Sequence, residues 1–150
     1  MIRGKRGIRT VVKNPDSTLP YSLHDTYVLK VQAQGGTLRL MTQSGYVCTS
    51  GPCEQVEGDV EVTGVDWDFS SVYVMEYHDV LCGNYGSFTG RKMTVEAFLR
   101  EYPEAGLDIM DETYGYHQVK LDGYLNLRDR CLEFRLELCY DGEFRYLLKD

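Results

Sequence analysis

Three histidines and five cysteines are the residues best suited to chemistry: His24, His78 and His117, with Cys48, Cys53, Cys82, Cys131 and Cys139. Histidine beside a carboxylate serves both proton transfer and metal ligation. Two of the three stand that way, in His24-Asp25 and His78-Asp79, and the third lies in 114-YGYHQ-118. Adjacent side chains of a strand point to opposite faces, so neither dipeptide chelates alone. A site requires distant segments to converge, and its candidates are His78, Asp79, Cys82 and His117. Cys82 is also the one cysteine with a histidine close in sequence, and a thiolate beside a cationic imidazole is nucleophilic. The stretch 82-CGNYG-86 is turn chemistry, which puts that thiol in or next to a loop. The competing reading is a surface turn, with the aspartate capping backbone N–H groups.

Two further constellations weigh less. Cys48 and Cys53 in 47-VCTSGPCEQ-55 have the spacing of a zinc knuckle, but no second close pair follows. Cys131 and Cys139 are separated by a strand and share its face. The expectation is free thiols, no metal and no cofactor. In 108-DIMDE-112, a regular strand would place Asp108 and Glu112 on one face, as in a paired-carboxylate or cation site. A solvent face kept soluble by acids explains the same residues.

The elements that must position these groups are mostly strands. Residues 26–34 and 37–43 alternate apolar and polar around 35-GG-36, which predicts a hairpin. Strands follow near 56–64 and at 71–77, 107–113 and 116–122. The alternation is clearest in 131-CLEFRLELC-139. Matching its apolar face to Phe144, Tyr146 and Leu148 predicts a hairpin with a three-residue turn, Leu138 opposite Phe144 and Gly142 left-handed. Thr94 caps a short helix over 94–102, whose Val95, Phe98, Leu99 and Tyr102 share one face before Pro103 stops it. Residues 82–90 read as a Gly-rich strand-to-helix connection, with at most a short strand at 87–89. The fold class is therefore mainly β (α+β): an antiparallel sheet curled into a sandwich or open barrel, with one short helix.

Length and charge bound the rest. The 150 residues suit one domain at 15–150, preceded by a basic arm at 1–14. The net charge is −7, of which residues 1–14 contribute +5, leaving −12 on the remainder. A body this acidic repels phosphate backbones, so no nucleic acid partner is expected. No apolar run is long enough to cross a membrane, and no secretory leader is legible, which predicts a cytoplasmic protein with no membrane partner.

Twelve tyrosines remain. Tyrosine supplies rigid amphipathic contact area and is enriched at interfaces. Tyr85, Tyr114, Tyr116 and Tyr124 fall in predicted loops or at their edge and are the binding candidates. With no GxGxxG, P-loop or nucleophile-elbow motif, the chain reads first as a non-enzymatic protein-interaction module for a protein partner, inhibitor- or immunity-like in one version. Two alternatives are a small metal-binding or hydrolytic enzyme using the His/Asp/Cys cluster, and a small-molecule-binding β-barrel.

Overall fold

The structure, a computed structural model, describes residues 19–82 and 85–149. The basic stretch 1–14 lies outside the described residues, as do the side chains of Asp79, Cys82 and Tyr85. Twelve strands and one α-helix make up the described fold: β1 (Tyr21–Ser22), β2 (Thr26–Gln34), β3 (Thr37–Thr42), β4 (Tyr46–Cys48), β5 (Gln55–Val56), β6 (Gly58–Val62), β7 (Ser71–Cys82), β8 (Tyr85–Met93), α1 (Val95–Glu101), β9 (Gly106–Gly115), β10 (Gln118–Asn126), β11 (Cys131–Cys139) and β12 (Phe144–Leu148). They form two antiparallel sheets. The larger runs β12-β6-β3-β2-β9-β10-β11-β7-β8, and the smaller runs β1-β4-β5.

Side-chain alternation makes one face of the large sheet the core. Val28, Leu38, Leu40, Val60, Val62, Val72, Leu121, Leu125, Phe134, Leu136 and Leu138 point inward and are buried. The sheet curls strongly. The rings of Tyr114 on β9 and Phe144 on β12 lie 5.6 Å apart. Their strands are four places apart in the sheet, which would separate them by roughly 19 Å were it flat. The small sheet seats Tyr21 and Tyr46 against this inner face. Tyr21, Tyr46 and Tyr146 stack with centroids 4.9–5.4 Å apart, and Phe144 adds to them at 5.3 Å from Tyr146.

The helix plugs one side of the core as its pattern predicts. The Thr94 hydroxyl accepts from the N–H of Ala97 at 3.0 Å, and Val95 and Phe98 are buried. Burying a ring such as Phe98 contributes about 2–3 kcal/mol, enough to hold a helix too short to persist alone. Arg91 on β8 forms an ion pair with Glu101 in its last turn.

Three expectations are corrected. β11 and β12 do not form a hairpin. β12 crosses the core and pairs with β6, Phe144 opposite Val62 and Tyr146 opposite Val60. Matching apolar faces is a condition that β6 meets as well as β11 does, so it fixes the face and not the partner. The left-handed residue is Gly64 (φ 64°), and Gly142 is not among the positive-φ positions. At this crossing Asp141 N bonds Gly64 O at 2.9 Å, and Val65 bridges to Tyr140.

Residues 85–90, expected as part of a connection, are strand. β7 and β8 form a long hairpin, with Tyr77 opposite Phe88 and Met75 opposite Gly90. Pairing with β7 overrides the turn preference of the glycines. The β11 register on β7 ends at Met75, so beyond it the hairpin continues as a two-stranded ribbon.

The third correction lies in β9. Its register on β10 passes from Asp111↔Asp122 to Ile109↔Gly123, leaving Met110 as a bulge. Only glycine fits at 123, because a Cβ there would overlap the carbonyl oxygen of Asp108. The bulge reverses the alternation. Asp108, opposite Tyr124, faces outward, while Glu112, opposite Leu121, faces the core. The two carboxylates therefore do not share a face.

Candidate functional site

The outer face of the large sheet carries the candidate site. Registers across five strands set its side chains in rows. One row is Asp108, Tyr124, Glu133, Met75 and Gly90, and the next is Asp111, Asp122, Arg135, Tyr73 and Lys92. Tyr77 and Phe88 stand beyond them on the ribbon, their centroids 5.5 Å apart. Between the rows lies an open groove of about 310 Å³, lined by Tyr73, Met75, Tyr77, Met110, Tyr124 and Glu133 among others. Two of its aromatics are well exposed, Tyr77 at 46% and Tyr124 at 42%, and Phe88 beside Tyr77 is exposed at 60%. Gly90 leaves the row open at its β8 end, where a Cβ would sit 3.4 Å from Met75 Cγ.

The charges in the groove and along its two rows fall into two kinds. Arg135 Nε donates to Asp122 Oδ1 at 2.6 Å, and that bond raises the Arg135 pKa above its ordinary value. Lys92 Nζ lies 5.5 Å from the Tyr73 centroid, within cation–π range. Asp108 and Glu133 are different: neither forms an ion pair among the described residues. Burial, and then the Glu133 charge, raise the Tyr77 pKa.

The residues singled out from sequence are dispersed. Tyr124 lines the groove, though from within β10 and not from a loop. Tyr116 is 92% exposed at the tip of the β9–β10 turn, its ring edge-on to His117 at 4.3 Å. Tyr114 is corrected: the bulge turns it inward, where its hydroxyl donates to Glu112 Oε2 at 2.6 Å. The Tyr85 side chain is outside the described residues. His78 lies on the ribbon, a ring nitrogen 3.2 Å from Thr89 Oγ1. His117 lies at the opposite end of the sheet, near the Glu137↔Ser71 pair. The strand from Ser71 to His78 alone spans roughly 23 Å, so the two histidines do not converge. His24 and Asp25 form an exposed pair at 3.0 Å. Among the described residues, no three His, Cys, Asp or Glu side chains converge to hold a metal ion.

The groove's other residues escaped the loop-based reading. Tyr73, Met75, Tyr77 and Glu133 belong to strands, and only loop tyrosines are binding candidates in the sequence. The signal was present in 71-SVYVMEY-77. There Val72 and Val74 fill one face and Tyr73, Met75 and Tyr77 the other, so the strand has two apolar faces and only one can meet this core.

No family model, curated protein or solved structure matches the chain. No helix among the described residues is long and apolar enough to cross a membrane.

Proposed function

We propose that the chain is a non-enzymatic protein-interaction module that docks a partner on the outer-face groove. One observation carries this reading. Tyr77, Phe88 and Tyr124 expose large aromatic area around a groove floored by Tyr73 and Met75, on a face that the small sheet and α1 leave uncovered. Contiguous exposed aromatic area marks interaction surfaces. The ribbon adds to the argument. An isolated two-stranded hairpin is marginal in water, and a partner seated on Tyr77 and Phe88 would supply the packing that β11 does not provide.

The test is capture from the host lysate by the full chain, with Tyr124→Asp and Tyr77→Asp as comparisons. A partner held by the native chain and released by both variants supports the docking face. A partner that both variants retain rules this face out.

A further inference from the structure

We infer that the groove takes a basic, extended segment of a partner protein, seating one lysine or arginine side chain on the Tyr124 ring between Asp108 and Glu133. The inference deepens the docking reading and rests on it. It commits to the sign and shape of the occupant.

The argument begins with the row itself. Asp108, Tyr124 and Glu133 stand on three successive strands. Strand spacing sets the two carboxylates roughly 10 Å apart, with the ring between them. A cation over the face of that ring meets the negative side of its quadrupole and both acids at once. Neither acid has a cation of its own among the described residues. In the neighbouring row Asp111 also forms no ion pair among the described residues, but two cations are resident. Asp122 is taken by Arg135, and Lys92 lies over Tyr73. A further cation there would meet two resident ones. The row of Tyr124 therefore favours positive charge more than its neighbour does, and the resident Arg135 and Lys92 direct an incoming cation toward Tyr124.

The apolar lining defines the rest of the occupant. Met75, Met110, Tyr73 and Tyr77 offer contact for the methylene stem of a long cationic side chain. The groove is open and lies across a sheet face, which suits an extended segment better than an enclosed small molecule. The −12 carried by residues 15–150 steers such a segment toward the chain before contact.

The experiment titrates the full chain with labelled short peptides alternating arginine with serine, glutamate with serine, or glutamine with serine. The basic peptide is expected to bind and the acidic one not. Affinity should fall about tenfold or more between about 50 and 500 mM salt. Tyr124→Ala and the double variant Asp108→Asn/Glu133→Gln should each weaken binding about tenfold, while Glu54→Gln in the β4–β5 loop leaves it unchanged. Basic-peptide binding that survives Asp108→Asn/Glu133→Gln places the cation elsewhere on the acidic body and overturns the inference. Equal or tighter binding of the acidic peptide overturns it too, as does no binding of any peptide.

Neutralising the chain's own cations (R3Q, K5Q, R6Q, R9Q and K13Q together) gives another decisive arm. If the basic peptide binds only after neutralisation, the groove's occupant is the chain's own basic stretch and not a partner. The two readings also fail separately. A lysate partner released by Tyr124→Asp but held by Asp108→Asn/Glu133→Gln, and insensitive to salt, sinks the cation seat and leaves the docking face standing.

Discussion

The Tyr114 hydroxyl donates to Glu112 Oε2 across 2.6 Å on the inner face of β9. The same carboxylate accepts from Ser22 Oγ at 3.0 Å and from the Leu23 N–H at 3.1 Å. Glu112 is thus the polar rivet that joins the small sheet to the large one. Removing it leaves partly buried donors unsatisfied. Glu112→Ala should cost about 2–3 kcal/mol and Tyr114→Phe about 1 kcal/mol. A shift in the urea midpoint at constant slope would measure each, and an unchanged midpoint for Glu112→Ala would refute the rivet.

The inner tyrosines make the fold sensitive to alkali. Burial first, and then Glu112, push the Tyr114 pKa far up; burial carries Tyr46 from 10.0 to about 12 and raises Tyr146 as well. A phenol whose folded pKa is raised binds its proton more tightly in the folded state. Its stabilisation is complete below the ordinary value of 10.0 and is lost as pH climbs through 10 to 12. Stability measured across that window should fall, and Tyr114→Phe should flatten the fall. Constant stability from pH 9 to about 12 would contradict the placement of these rings.

Two left-handed glycines should respond differently to alanine. Gly35 (φ 61°) has nothing within 4 Å of an added Cβ, so Gly35→Ala meets backbone strain alone, about 1 kcal/mol. Gly64 (φ 64°) lies against Asp141 and the Gly142 backbone N, 2.6 Å from where a Cβ would be. Gly64→Ala should cost about 3 kcal/mol or more, because the β6 and β11 exits must part. Thermal unfolding of the pair checks the difference, and equal losses would argue against the crossing.

His117 holds φ 51° in the Tyr116-His117 turn, where asparagine or glycine is at ease. His117→Asn should raise stability by up to about 1 kcal/mol, a gain of a few degrees in melting temperature. A loss would mean that the imidazole makes a contact worth more than the strain.

How much of this was legible depended on how local each signal is. The 26–34/37–43 hairpin, the strand 131–139 and the Thr94 cap are written in neighbouring residues, and the structure bears them out within a residue or two. The partner of β12 is not written locally, because any strand with an inward apolar alternation satisfies Phe144 and Tyr146. The bulge at Met110 is nearly silent. Its trace is Gly123, a glycine inside a strand pattern, and missing it put Asp108 and Glu112 on one face. For the groove, Tyr124 was found for the wrong reason, as a loop residue. Tyr73 and Tyr77 were readable from the two apolar faces of 71–77, once it is asked which face the core can use.

The pairing of β12 with β6 also has a consequence during synthesis. Val60 is made long before its neighbour Tyr146. At ordinary ribosome speeds the interval is on the order of ten seconds. Through that time β6 has β3 on one side and bare backbone on the other. The nascent chain therefore carries an unfinished seam until β12 emerges to close it, and it is in this interval that a chaperone or a neighbouring nascent chain would find it.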